Sequence, residues 1–330
     1  MTVFAAGTSL ADFTLTLYDT VVITDTTNTA HFDSNVVSSG IFSGYSYLFP
    51  TIILSQTTTT FRACWTQYYG SRWQNGNLYV WYDEFGTKIA AIKYDNPYIA
   101  SFIIYTSGGA GTIVGTIGDI PAIAPGLHRI DVELDWSSTG SVKIYQEGIQ
   151  VGTTVTGDFL TANPTSTIGQ FVVCKAASYS AAMSGILIQD TTTLGKVLAE
   201  SVPNGAGTYS DLTGSYTDIN SVGKDDSTFI YGTVSLDKST FTTGAFGSSI
   251  STGWDLDTLL VSIRAVNGYG SALTNVAAVV RSNTSDSIDT AQATSTGVKT
   301  YLFEFPTNPD GSVAWTYTTA NAAEIGVQIS

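Results

Sequence analysis

Three carboxylates stand at alternate positions in the run Arg129-Ile130-Asp131-Val132-Glu133-Leu134-Asp135-Trp136. Side chains two apart share a strand face, so Asp131, Glu133 and Asp135 project together while Ile130, Val132, Leu134 and Trp136 line the other side. Paired carboxylates are the machinery of glycoside hydrolysis, one serving as nucleophile or base and the other as acid. The order here, D-x-E-x-D, departs from the E-x-D-x-x-E strand that some glycanases use. Pairing Trp136 with Val142 and Leu134 with Ile144 would set Asp135 opposite Lys143 and Glu133 opposite Tyr145, each pair contributing roughly 0.2–1 kcal/mol. The expectation is a solvated strand face, not an active site.

Two other clusters could bind something. Calcium needs several clustered oxygens, and Asp25, Asn28, Asp33 and Asn35 supply them within Ile23-Thr24-Asp25-Thr26-Thr27-Asn28-Thr29-Ala30-His31-Phe32-Asp33-Ser34-Asn35. Asp25 and Asp33 are the candidate metal ligands, although no EF-hand spacing is met and Asp and Asn also serve as turn formers. Sugar recognition calls for aromatic faces beside polar groups, and Tyr68, Tyr69, Arg72, Trp73, Asn75 and Trp81 offer both. The same residue types are enriched where subunits meet, and that interface reading is preferred over the glycan one.

Other chemistry lacks its partners. Cys64 and Cys174 stand in apolar strand-like runs without a CxxC or nearby His, which argues for buried free thiols and against zinc, with a disulfide left open. His31 and His128 have no matching nucleophile, and His128 at a strand start reads as structural. Gly108 to Gly118 has neither the Lys nor the helix of a phosphate loop.

A formal net charge of −14 opposes contact with nucleic acid phosphates or an anionic membrane surface. No apolar run reaches the ~18 residues that a membrane helix needs. The start, Met1 to Phe13, lacks the basic and apolar regions of a secretory signal, so synthesis and assembly in a cytoplasm are expected. Hydrophobic residues make up 43% of the chain, enough to expect folding throughout.

The elements that must position these residues are short strands. Alternation or apolar runs mark Phe13–Leu17, Phe42–Leu54, Phe61–Tyr68, Leu78–Tyr82, Lys88–Tyr94, Phe102–Tyr105, Thr112–Ile117, Thr167–Cys174 and Met183–Asp190. Between them, Phe85-Gly86-Thr87 and Glu147-Gly148 are turn signals. Ser201 to Gly207 reads as a linker. Beyond it, strands are expected at Thr228–Val234, Thr258–Val266, Val276–Arg281, Lys299–Phe305 and Glu324–Ile329, with a polar link from Asn283 to Gly297.

The stretch from His128 to Ile149, a strand with an early His, a turn, then Val142-Lys143-Ile144-Tyr145 closed by Glu147-Gly148, resembles the core hairpin of laminin-G-like and concanavalin-type lectin domains. The resemblance implies an all-β chain, with a jelly-roll β-sandwich over residues 1–200 and a smaller β-sandwich over 201–330. The last third resembles a C-terminal module of tailed-bacteriophage structural proteins. The matching cues are Asp225-Asp226-Ser227-Thr228, Val280-Arg281-Ser282, Asn308-Pro309-Asp310-Gly311 before Trp315, and Glu324-Ile325-Gly326-Val327. It implies a non-enzymatic virion protein on the particle surface, of capsid-decoration or head-fibre type. Such a protein would assemble as a homotrimer or other homo-oligomer and contact the major capsid or another virion protein. The alternative is an adhesion protein for host glycans. Neither reading requires a cofactor, calcium being the one ion in question.

Overall fold

The computed structural model describes residues 2–7, 14–16, 24–25, 42–43, 51–69, 76–96, 99–106, 109–120, 126–173, 181–196, 198, 201–220, 227–244, 256–268 and 273–330. The chain divides into two compact units that part between Leu198 and Ala199.

The first unit carries β1 (Val3–Gly7), β2 (Thr14–Thr16), β3 (Thr24–Asp25), β4 (Phe42–Ser43), β5 (Thr51–Thr58), β6 (Thr60–Tyr69), β7 (Gly76–Tyr82) and β8 (Lys88–Asn96). It continues with β9 (Ile99–Tyr105), β10 (Gly111–Gly118), β11 (Gly126–Asp135), β12 (Gly140–Gln146), β13 (Ile149–Gly157), β14 (Ile168–Val173) and β15 (Ala181–Gln189). Besides the two-stranded β3-β4 pair, two large antiparallel sheets form, ordered β1-β15-β6-β11-β12-β13 and β10-β9-β8-β7-β14-β5-β2. They face one another as a jelly-roll sandwich of the concanavalin type.

Aromatic rings fill the space between the sheets. Phe61 of β6 lies 4.9 Å from Phe171 of β14 and meets Trp81 of β7 edge-on at 5.9 Å, while Trp65 meets Tyr79 at 5.1 Å. Offset and edge-on rings at such spacings add about 0.5–1.5 kcal/mol per pair to the area they bury. The seven-stranded sheet is apolar on its other face too. Ile103, Ala91, Val80 and Val172 form a row of direct neighbours across four strands, and all four are buried. Strands buried on both faces read as continuous apolar runs, as Leu78–Trp81, Ile89–Ile92 and Phe102–Ile104 do.

The hairpin that resembles a lectin core is present, and its register differs from the expected one. Leu134 pairs with Val142, Val132 with Ile144, Glu133 with Lys143, Asp131 with Tyr145 and Asp135 with Ser141. The turn is shorter than expected because Gly140 already opens β12, its N–H donating to the Ser137 carbonyl at 3.2 Å. A shift of two residues keeps every side chain on its own face and changes only its partner. At the other end Glu147 and Gly148 have φ of 51° and 77°, the two left-handed positions of a type I′ turn joining Gln146 to its partner Ile149.

In the second unit are β16 (Pro203–Ser210), β17 (Lys238–Thr243), β18 (Leu259–Ala265), β19 (Asn275–Ser282), β20 (Ser285–Ile288), β21 (Gln292–Ala293), β22 (Lys299–Phe305), α1 (Tyr317–Ala322) and β23 (Glu324–Ile329). One sheet runs β16-β17-β23-β19-β20, with β21 also on β19, and β18-β22 makes a second. Leu259, Val261, Tyr301, Phe303 and Phe305 from the small sheet pack with Val276, Ala278, Val280 and Trp315 in one core. Trp315 follows the Asn308–Gly311 turn and donates its indole N–H to the Phe305 carbonyl at 2.7 Å.

Three expectations fail here. Pro203 to Gly207 belongs to edge strand β16 and is not a linker; Pro is tolerated at the first residue of an edge, where no ladder donor is needed. Thr228–Val234 forms no strand, only an isolated bridge from Tyr231 to Thr213. Within the expected polar link, Ser285–Ile288 and Gln292–Ala293 both pair with β19.

Candidate functional site

The richest chemical surface lies on the outer face of the six-stranded sheet. Alternation brings Arg129, Asp131, Glu133 and Asp135 of β11 beside Arg62 and Cys64 of β6 and beside Ser141, Lys143 and Tyr145 of β12. This face is not uniformly wet. Asp131 is fully buried, although its place in the alternation promised solvent. The segment after β15 crosses over it, anchored by Gln189, whose amide donates to the carbonyls of Thr191 and Thr192 at 3.0 and 2.9 Å. Thr193 is buried and donates its hydroxyl to Asp131 Oδ1 at 2.8 Å. Arg129 grips both Asp131 oxygens at 3.0 and 3.1 Å and donates to the Thr193 carbonyl at 2.9 Å. A buried carboxylate thus has a fork-shaped partner and a hydroxyl, the arrangement that offsets its desolvation.

Glu133 and Asp135 are engaged as well. Glu133 accepts from Tyr145 at 3.2 Å and Thr192 at 3.3 Å, with Lys143 Nζ at 3.5 Å and Arg62 Nε at 3.9 Å. Asp135 takes Arg62 Nη2 at 2.6 Å and the Ser141 hydroxyl at 3.1 Å. Burial and the adjacent Glu133 carboxylate push the Tyr145 phenol up from its ordinary range. Burial would lower the Arg129 pKa, but the Asp131 hydrogen bonds and charge outweigh it and the net direction is up. Beneath Thr193, burial pushes the Cys64 thiol up to about 12 despite Arg129. A thiol held protonated is a poor nucleophile. Chemically this face is a set of closed ion pairs and hydrogen bonds, each acid already holding its partners.

The candidate aromatic cluster is divided by the structure. Tyr68 and Tyr69 end β6, paired in the backbone with Leu127 and Gly126 on one side and Ala182 and Ala181 on the other. Arg72, Trp73 and Asn75 lie outside the described residues. Trp81 is fully buried among Phe61, Phe102 and Phe171 and is a core residue, not a sugar or subunit contact. It sits mid-strand on β7, inside a sheet covered on both faces, which an aromatic-rich loop nearby in sequence disguises. Of the candidate metal ligands, Asp25 pairs in the backbone with Phe42, and Asp33 lies outside the described residues. Among the described residues no group of three or more His, Cys, Asp or Glu is placed to hold a metal. Cys64 is free, and Cys174 falls outside the described residues.

Two features of the second unit escaped the sequence reading. On one sheet face Asp286 accepts from Arg281 at 2.5 Å, Tyr209 at 2.7 Å and Lys238 at 2.9 Å, and the Lys238 ammonium lies 3.6 Å above the Tyr209 ring. Glu324 adds hydrogen bonds from the Thr240 hydroxyl at 2.6 Å and from Thr208 at 2.7 and 2.8 Å. These seven residues come from five strands, so no local spacing could announce them. The second feature is an exposed apolar segment, Phe229 to Leu236, whose mixed Thr, Ser, Gly and aromatic composition resembles a strand.

No family model matches the chain, and no curated protein matches it. Among solved structures it is similar to the cellulose-induced protein Cip1, at 14% identity and TM-score 0.37, over 55% of this chain and 92% of that one. The T. cruzi calreticulin globular domain aligns at 10% identity and TM-score 0.40, over 58% and 90%. The binding domain of botulinum neurotoxin serotype G aligns at 10% and TM-score 0.36, over 57% and 47%, so the chain spans about half of that domain's length. At such identities and scores the likeness says nothing of what this chain binds or does.

Proposed function

We propose that this chain is a structural protein of a tailed-phage particle surface, acting through protein–protein contacts. One observation carries the contact part of this reading. Within Phe229 to Leu236 four apolar side chains are displayed, Phe229 at 64%, Tyr231 at 54%, Val234 at 60% and Leu236 at 65% exposure. The segment is held in place. Tyr231 and Thr213 exchange backbone hydrogen bonds of 3.0 and 2.8 Å, and Leu236 donates to the Ile329 carbonyl at 2.8 Å. Leu236 also holds a φ of 72°, a left-handed conformation costing a non-glycine residue roughly 1–2 kcal/mol. Apolar side chains displayed together on an ordered segment mark an interaction surface. The closed ion pairs of the first unit favour a scaffold over a catalyst, and the phage assignment itself rests on the C-terminal sequence cues.

The test is incorporation. Mass spectrometry of density-purified phage particles should find the wild-type chain in fixed ratio to the capsid protein. The double variant Phe229→Ser with Leu236→Ser, folded by circular dichroism, should be depleted. Absence of the wild-type chain from particles overturns the virion reading, and undiminished incorporation of the variant overturns the assigned surface.

A further inference from the structure

Asparagine followed by glycine is a reactive pair. The glycine's backbone nitrogen, once it loses its proton to hydroxide, can attack the asparagine side-chain carbonyl carbon, and glycine has no Cβ to hinder the approach. Two such pairs lie wholly within the described residues, Asn204-Gly205 and Asn267-Gly268. A third, Asn75-Gly76, begins outside them. The fold treats the first two differently.

Asn204-Gly205 is held on every side. Both residues belong to β16, where Gly205 stands opposite Thr242. The Asn204 side-chain oxygen accepts from the Thr242 hydroxyl at 3.0 Å. An extended backbone points the side chain out of the strand, away from the next peptide nitrogen. Turning it back would break both the ladder and the Thr242 bond.

Asn267-Gly268 has none of these restraints. It follows the end of β18 and belongs to no strand, helix or turn. The Asn267 N–H donates to the Ser295 carbonyl at 2.8 Å, which fixes the residue's own amide and leaves the next peptide outside any ladder. Among the described residues no hydrogen bond holds the Gly268 N–H. Gly268 is exposed, and nothing lies within 4 Å of where a Cβ would stand, so water and hydroxide reach an uncrowded peptide. The Asn267 Oδ1 atom is buried without a partner. An unpaired buried carbonyl raises the energy of the resting side chain, and rotation toward the exposed Gly268 relieves it.

We propose that Asn267 deamidates in the folded protein by attack of the Gly268 nitrogen. The bond from that nitrogen to Cγ forms as the Cγ–Nδ2 bond breaks, and Nδ2 leaves as ammonia. The resulting succinimide takes up water at either carbonyl, giving aspartate or isoaspartate with no change of oxidation state. Either product adds a carboxylate to a chain already at −14. Isoaspartate also lengthens the main chain by a methylene next to the amide held by Ser295. The site stands independently of the particle role and of the Phe229 surface.

Peptide mass spectrometry on the whole chain tests this. Protein is kept folded at mildly alkaline pH, sampled over time and digested under conditions that suppress further deamidation. Trypsin cutting after Arg264 and Arg281 releases Asn267 with Asn275, and cutting after Lys196 and Lys224 releases Asn204 with Asn220, so fragmentation assigns each site. Asn267 should exchange NH for O at least about tenfold faster than Asn204, a barrier difference of about 1.4 kcal/mol. In urea the two rates should converge, because the fold no longer separates them. Gly268→Ala has room for its methyl and should slow conversion at Asn267 about tenfold in the folded protein. Equal rates at the two asparagines in the folded chain, a gap that persists in urea, or unchanged conversion in Gly268→Ala would each overturn the proposal.

Discussion

Asp131 in the first unit and Asp286 in the second are both held by an arginine and a hydroxyl, yet their settings differ. Asp131 is sealed beneath Thr193 with Arg129 as its cation. Asp286 keeps 19% side-chain exposure and is shared by Arg281 and Lys238. In the first, water is excluded and the pair must be complete, since each partner left alone is an uncompensated charge. In the second, water and salt moderate every contact, and removing one leaves the rest solvated. The same residue types therefore produce a lock in one place and an adjustable surface network in the other.

The largest expected effect breaks the lock. Arg129→Met strands the Asp131 carboxylate and should cost about 3–5 kcal/mol in urea denaturation, while Arg129→Met combined with Asp131→Leu should recover most of it. A cost below 1 kcal/mol for the single variant would show that Asp131 is not sealed. Asp286→Asn should cost only about 1 kcal/mol, and the difference should shrink in high salt.

Acid should separate the two units further. Burial would raise the Asp286 pKa, but hydrogen bonds from Tyr209, Lys238 and Arg281 hold it below the usual carboxylate range. Glu324 is likewise lowered on balance, Thr240 and Thr208 outweighing its burial. A folded pKa below the unfolded value stabilises at pH above the unfolded pKa, and that contribution is lost as pH falls through the folded one. The second unit should lose this stability below about pH 4, and Asp286→Asn should flatten the decline in a pH series of thermal melts. The smallest effect is a null result. In a Cys174→Ser background the Cys64 thiol should ignore a thiol reagent at mildly alkaline pH until the protein unfolds. Added Arg129→Met should speed labelling if the crossing segment depends on that pair.

Much of the first unit was legible because alternation is a local property. The inward face of β11, the Glu147-Gly148 turn and most strands follow from residue order, since a side chain's face depends only on its parity. The register between β11 and β12 was not legible, because a shift of two leaves the hydrophobic pattern unchanged and only the turn's length distinguishes the choices. Trp81 was misplaced for a related reason. An aromatic residue suits a binding loop and a core strand equally, and the rings that enclose Trp81, Phe61, Phe102 and Phe171, come from other strands of the chain. Pro203 to Gly207 looked like a linker since nothing local tells an edge strand rich in glycine from a connection.

The sequence by itself determined an all-β chain, the alternating faces and the tight turn after β12, because φ/ψ preference and side-chain parity are set by neighbours in the chain. Only the tertiary structure decided that Asp131 is dry and that Asp286 has two cations. Each of those facts needs residues tens of positions apart to meet, and burial, which sets the worth of a charge or a hydrogen bond, exists only once they have met.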